Sequence, residues 1–281
     1  MNTTALHTFL SIVETGSLVR ASEKMNVTQS TVTARLKSLE QELGQTLLNR
    51  YKSGTTLTPA GTKLLRYAKI MTGLWQQAQH EAGLPAGTEA VCNFGCHNDL
   101  WYGVGKQFFD RIANEHEEIA VSVLHGSQQE LEGWLVDGMV DVILSYQPFA
   151  PGSQTVYELP GEKIVLYSDR PNSPIKFDPY YIYVDHGEEY RRLHAEYYHD
   201  AGTARMNFDS PRWALDFLLE RGGSAYLPEP LAESYVQQGK LHRLDSAPSF
   251  SRKRYLLAND IVTANWEWFH SMVADLQQAT A

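Results

Sequence analysis

The stretch Leu18–Leu43, LVRASEKMNVTQSTVTARLKSLEQEL, constrains this chain more than any other. It reads as two short helices joined by a tight turn. In the second, Val32, Leu36, Leu39 and Leu43 fall at spacings of four, three and four, which lays one apolar stripe along a helix. At about 100° per residue, Ser30, Thr33, Ala34 and Lys37 point away from that stripe, with Gln29, Thr31 and Arg35 on its flanks. The outward face has no acid. Short hydrogen-bonding side chains, a small Ala34 and two cations suit the major groove of DNA: Gln, Ser and Thr meet base edges, while Arg and Lys reach phosphates. An ordinary amphipathic surface helix shows the same loose pattern, so the flanking residues must decide.

Those flanks run Leu6, Phe9, Gly16-Ser17, Ala21, Gln29, Val32, Leu39-Glu40, Leu43-Gly44, Leu47, Arg50 and then LTPAG from Leu57 to Gly61. This spaced series resembles the N-terminal domain of LysR-type transcriptional regulators. Ser22, Ser30, Thr33 and Leu48 depart from the usual family residues but keep size or polarity, and bear on the operator rather than the fold. LTPAGTKLLRYA with Trp75 downstream is further similar to the subgroup that contains HdfR.

At 281 residues the chain should divide into two or three domains. Its net charge of −9 argues at first against a nucleic-acid partner. The distribution reverses that inference. Residues 1–82 carry nine Lys or Arg against five Glu, a net of +4, which leaves −13 for the remainder. A basic head on an acidic body confines phosphate attraction to one end. Cys92 and Cys96 imply no disulfide framework, and on one extended strand they would sit about 13 Å apart. They read as small buried thiols, with a redox sensor as the alternative. The N-terminus lacks a cationic leader region and no apolar run approaches about 18 residues, so a cytoplasmic protein with no membrane contact is expected.

A first helix spans Ala5 to Thr15, and Gly16-Ser17 stops it and caps the next. LLNRYKSGTTLT reads as a hairpin about Ser53-Gly54, a wing from which Arg50 and Lys52 would contact phosphate. Thr58-Pro59 opens a helix of about 36 Å at 1.5 Å per residue, with Leu64, Tyr67-Ala68, Met71, Leu74-Trp75 and Ala78 close to a heptad. Such a narrow seam either pairs with a second copy, the reading favoured here, or packs on its own body. The resemblance implies a dimerising linker and pairs of dimers. The expected divisions are a winged helix-turn-helix over 1–58, a linker helix over 59–84 and an effector-binding domain over 88–281.

From Glu89 strands alternate with helices: VCNFG, IAVSVLHG, VDVILSY, KIVLYSD, YYIYVD, SAYLP and KRYLLAND, with helices near Asp99–Ala113, Gln128–Val136, Glu188–Asp200, Arg212–Arg221, Glu229–Gln238 and Ala264–Gln278. Alternation predicts an α/β fold with a parallel sheet. The stretch FLLERGGSAYLPEPLA resembles the family's effector-binding portion. The resemblance implies two α/β subdomains like those of type 2 periplasmic binding proteins, subdomain I about 88–162 and 256–281, subdomain II about 163–255.

Ligands of open α/β sheets bind beyond the carboxyl ends of strands. Here those ends offer Cys96, His97, Asn98 and Asp99, then Ser127 behind His125-Gly126, then Tyr146 behind Ser145, then Asp185 and His186, and finally Asp209, Ser210 and Arg212 ahead of a helix. Ser127 follows a glycine and precedes a helix, so its hydroxyl and the first free N–H groups should converge on the cleft. Helix N-termini favour an anion such as a carboxylate, whereas Asp99, Asp185 and Asp209 argue the other way, and the effector's identity stays open. His194 and His199 are five apart, about 140° around a helix, and cannot chelate from one face; no metal or cofactor is expected. No Walker loop, dinucleotide fingerprint or Gly-x-Ser-x-Gly elbow occurs, so the expectation is a non-enzyme. The favoured reading is a DNA-binding regulator controlled by a small molecule, working as a dimer or tetramer. A metabolite-binding or metabolite-converting protein with a secondary DNA-binding head is the alternative, and turnover of any metabolite would separate the two.

Overall fold

The computed structural model describes residues 2–51, 54–176 and 178–278. The chain forms two compact units, Met1–Ala86 and Gly87–Ala281.

The first unit runs α1 (Thr3–Thr15), α2 (Leu18–Lys24), α3 (Gln29–Leu43), β1 (Leu48–Tyr51), β2 (Gly54–Leu57) and α4 (Pro59–Ala82). Side-chain caps start the helices: Ser17 accepts from Arg20 N, Thr28 from Thr31 N and Thr58 from Gly61 N. Gly16 and Gly44 end α1 and α3 with φ near +65°, a conformation in which glycine carries no penalty. Phe9, Ile12, Val32 and Leu36 are fully buried at the centre of the unit. Each such side chain contributes about 2 kcal/mol by leaving water. The LTPAG stretch has a mechanical basis. Thr58 caps α4 and also donates to Thr46 O at 2.7 Å, while Gly61 passes so close to the Leu47 carbonyl that a Cβ would lie 2.1 Å from its oxygen.

Two expectations are corrected in this unit. Leu43 continues the α3 stripe in sequence but is exposed, because the left-handed turn at Gly44 leads the chain away before the core reaches it. On α4, Leu64, Leu65 and Met71 pack against the core of their own head and Ala68 is buried in it. The apolar positions left outward are Tyr67 and Trp75, with Ile70 and Leu74 half-buried. The seam of α4 is thus split between its own unit and a second, uncovered stripe.

The second unit contains β3 (Ala90–His97), α5 (Lys106–Glu115), β4 (Ile119–Gly126), α6 (Gln128–Val136), β5 (Val142–Ser145) and the long β6 (Gln154–Ser168). There follow β7 (Tyr181–Val184), α7 (Glu188–Tyr197), β8 (Met206–Phe208), α8 (Pro211–Arg221), β9 (Ser224–Pro228) and α9 (Glu229–Gln237). Then come β10 (His242–Arg243), β11 (Phe250–Asn259), α10 (Asp260–Thr263) and α11 (Glu267–Gln278). The sheet order is β4-β3-β5-β11-β6-β9-β7-β8, with β10 on β6. β3 is parallel to β4 and β5, and β7 is parallel to β8 and β9. β6 and β11 run antiparallel to their neighbours, so the sheet is mixed rather than parallel throughout.

β6 and β11 carry the chain between two half-sheets, each coated on both faces by apolar residues. Phe94, Phe108 and Phe269 line one face of the first half, and Leu131, Leu135 and Ile143 the other. Leu215, Leu218 and Leu227 cover one face of the second half, and Tyr190, Tyr226 and Phe250 the other. The register of β6 on β11 slips between Arg252 and Arg254, opposite Pro160-Gly161. Pro160 cannot donate to the ladder, and its carbonyl accepts from Arg254 Nε at 2.7 Å instead. The helix expected from Asp99 is broken at its start. Gly103 sits at φ −134°, ψ −108°, and regular α-helix begins only at Lys106.

Candidate nucleic-acid interface and ligand cavity

In the first unit, Gln29, Ser30, Ala34 and Lys37 are exposed on α3, while Thr31, Thr33 and Arg35 are half-buried. Thr33 is therefore less outward than helical geometry predicts. Thr28 Oγ1 lies 2.8 Å from both Ser30 Oγ and Thr31 Oγ1, so these hydroxyls are oriented together at the start of the helix. Among the described residues Arg35, Lys37 and Arg50 have no ion-pair partner, whereas Lys24 is held by Glu14 at 2.5 Å. A cation with no internal partner keeps its whole interaction for a phosphate. Arg50 projects from the β1–β2 hairpin, whose pairing runs from Leu48 with Leu57 to Tyr51 with Gly54. The hairpin is anchored where Thr55 N donates to Gly16 O at 2.9 Å. Lys52 lies outside the described residues.

In the second unit, a cavity of about 640 Å³ opens at the ends of β3 and β4 and the start of α8. It gathers seven of the expected residues: Cys96, His97, Asn98, Asp99, Asp209, Ser210 and Arg212. Trp101, Tyr102, Val123, His125 and Trp213 complete its lining. Of these, His125 falls at an expected strand end, while Trp101, Tyr102, Val123 and Trp213 were not anticipated, although a tryptophan just inside a helix start, beside Arg212, was a visible signal. Four expected residues do not line this cavity. Ser127 is spent on a capping box: its hydroxyl donates to Glu130 Oε2 at 2.7 Å, and its backbone N–H donates to the same oxygen at 2.9 Å. The helix end expected to greet an anion already holds one. Tyr146 turns to the crossover strands, within 3.2 Å of Glu162 Oε2. Asp185 pairs with Arg191 at 2.6 Å and accepts from Gly187 N. His186 is buried, donating from Nε2 to the Tyr226 carbonyl at 2.9 Å.

Charge inside the cavity is uneven. Arg212 is held by Asp216 at 2.8 Å and lies 5.4 Å from the centre of the Tyr102 ring. Burial pushes the Asp99 carboxyl up to about 6, with Arg252 opposing and Glu162 and Asp209 adding to the rise. Burial also pushes the His97 imidazole down to about 4, so it is neutral near pH 7. Behind this wall Arg252 bridges the two halves of the unit. Its guanidinium donates to Glu162 at 2.8 and 3.2 Å, stacks 3.5 Å from the Tyr146 ring centre, and comes within 3.9 Å of Asp99. A larger cavity of about 680 Å³ lies around Gly103, Pro230 and Arg254, in which Arg243 pairs with Glu229 and Arg254 donates to the Pro160 carbonyl. Cys92 and Cys96 are buried thiols, and burial pushes that of Cys96 up to about 12. Among the described residues no group of three or more His, Cys, Asp or Glu is placed to hold a metal ion, and no helix is long and apolar enough to cross a membrane.

A winged helix-turn-helix followed by a two-lobed α/β unit with a cleft is the architecture of a ligand-responsive DNA-binding regulator. Residues 3–62 match the lysR family of bacterial regulatory helix-turn-helix proteins, and residues 87–260 match the LysR substrate binding domain. The chain belongs to the LysR family and is a DNA-binding transcriptional regulator with an effector-binding domain. It is 25% identical over 260 residues to the transcriptional regulator HdfR of Shigella boydii serotype 18, covering 92% of this chain and 91% of that one. The fold is shared with CbnR in complex with its target DNA, at a TM-score of 0.71 and 15% identity over the whole of both chains. LysG of Corynebacterium glutamicum with bound effector Arg aligns at a TM-score of 0.52 and 21% identity, over 99% of this chain and 98% of that one.

Proposed function

We propose that α3 enters the major groove of an operator through Gln29, Ser30, Thr31, Thr33 and Ala34, while Arg35, Lys37, Arg50 and Lys52 take phosphates. The observation that carries this reading is the acid-free outer face of α3, with its cations unpaired. In this reading α4 pairs with the same helix of a second copy along Tyr67, Ile70 and Leu74, and two such dimers join on DNA in the cytoplasm. A small molecule occupies the cavity between β3 and α8. A ligand that binds the closed cleft more tightly than the open one shifts the population of the effector unit, and that free energy alters the geometry of the bound DNA. The protein binds its effector and does not convert it.

The test begins with genomic fragments retained by the purified protein, sequenced to define an operator. Ala34→Glu then places a carboxylate in the middle of the outer face of α3, facing phosphates. Operator affinity should fall more than about tenfold in a gel shift, with fold and oligomeric state unchanged. Wild-type affinity in this variant would move the DNA-contacting surface elsewhere.

A further inference from the structure

We infer that the effector is an organic cation, whose ammonium or guanidinium group is taken between Asp99 of one half of the unit and Asp209 of the other. This rests on the reading that the cavity between β3 and α8 is the effector site.

Three observations favour a cation over the carboxylate that free helix N-termini would suit. At the cavity itself, Ser210 Oγ already accepts from Trp213 N at 3.5 Å at the start of α8, and the N–H of Asp99 donates to His97 Nδ1 at 3.4 Å. Asp99 in turn is under-answered. Its side chain is only 10% exposed and accepts no hydrogen bond among the described residues, and the nearest cationic nitrogen, Arg252 Nη1, is 3.9 Å away. That guanidinium is committed to Glu162 and the Tyr146 ring. Asp209 lines the same cavity from the opposite side, exposed and with neither hydrogen bond nor ion pair among the described residues. A buried carboxylate such as Asp99 without a hydrogen-bond donor is costly, and an organic cation in the cavity answers it while pairing with the exposed Asp209 across the cleft.

The third observation is aromatic. Trp213 is 65% exposed and Tyr102 42%, both on the cavity lining with Trp101. Large rings left in water at a cavity mouth are suited to the flat or methylene-rich body of an amine or guanidine, and their faces attract its charge. The one arginine that lines the cavity, Arg212, is neutralised by Asp216. A carboxylate would therefore meet two acids and no free cation. Because Asp99 and Asp209 come from opposite sides of β6 and β11, a cation held by both draws the halves together, which is the closure required of an effector.

The experiment is a thermal-shift and tryptophan-fluorescence titration of the full chain with agmatine and putrescine, set against glutarate and benzoate, at millimolar concentration. The expected result is binding by at least one cation and by neither acid, weakened about tenfold or more in Asp209→Asn. Val123→Trp, which fills the cavity from β4, should abolish it. Binding of an acid that Val123→Trp abolishes would leave the cavity as the effector site and overturn the cation. Cation binding indifferent to both variants would overturn the site as well. Absence of binding by both cations likewise overturns the proposal.

Discussion

Arg252→Met is the most informative single substitution in the effector unit, because the Arg252 guanidinium, on β11, reaches both Asp99 at the end of β3 and Glu162 in β6. Its side chain is 13% exposed, and that of Glu162 only 3%. Among the described residues the variant leaves Glu162 with a single remaining donor, the Tyr146 hydroxyl at 3.2 Å, and removes the nearest positive charge from Asp99. Breaking a buried pair by deleting one partner costs about 3–5 kcal/mol, and loss of the stacked guanidinium adds about 1 kcal/mol. For a unit of this size each kcal/mol moves the melting temperature by about 2–4 °C, so a fall of roughly 10–20 °C is expected. Urea unfolding followed by tryptophan fluorescence reads the right unit, since five of the six tryptophans lie beyond residue 87. Glu162→Leu combined with Arg252→Met should recover most of the loss, because the uncompensated charge goes with its partner. A loss below about 1 kcal/mol in the single variant, or a double variant no more stable than the single, would refute the assignment of Arg252 as the buried tie between the halves.

Acid should destabilise the same unit. Burial pushes His186 down to about 3, so as pH falls below about 6.5 the unfolded chain takes up a proton that the folded one refuses, and stability is lost across that window by up to about 1.4 kcal/mol per pH unit. His97 and His194, each pushed down to about 4 by burial, act in the same direction. His186→Gln keeps an N–H for the Tyr226 carbonyl and should flatten the slope of urea midpoint against pH; an unchanged slope would show that His186 is not its source. In the linker, Leu74→Glu should dissociate the dimer proposed on this stripe, as read by light scattering, while the head stays folded, whereas Leu64→Glu should cost about 3 kcal/mol of head stability. Equal effects from both would contradict the split seam. Cys92 and Cys96 should resist peroxide and maleimide in the native state, because burial holds both thiols protonated; rapid native labelling would reopen a redox role.

The head was legible because its signals are local. Caps at Ser17, Thr28 and Thr58, left-handed glycines at 16 and 44, and the apolar stripe of α3 each act within a few residues. The split of the α4 seam was not, since Leu64 and Leu74 look alike until α1 is placed beside one of them. In the effector unit the short parallel strands were evident as apolar runs. The first half of β6 was not, for Pro160-Gly161 and its polar neighbours read as loop, and only pairing with β11 makes it a strand. Strand-end reasoning brought together residues from β3 and from the α8 start because the sheet topology places both at one cleft. It failed at Ser127, where Glu130 three residues on satisfies the helix end from within. That capping box was written in the sequence as S-Q-Q-E. Arg252 and Glu162 could not be found by motif, being 90 residues apart and joined only by strand register.

The central claim is that the outer face of α3 is the surface that reads DNA, and its most direct test is the salt dependence of operator binding by Arg35→Ala, Lys37→Ala and the double variant. Each lost phosphate contact should lower the slope of log affinity against log salt by about one, and the double variant by about two, while circular dichroism and oligomeric state stay as in the wild type. Wild-type slopes in all three variants would contradict the claim, since neither cation could then be in contact with a phosphate.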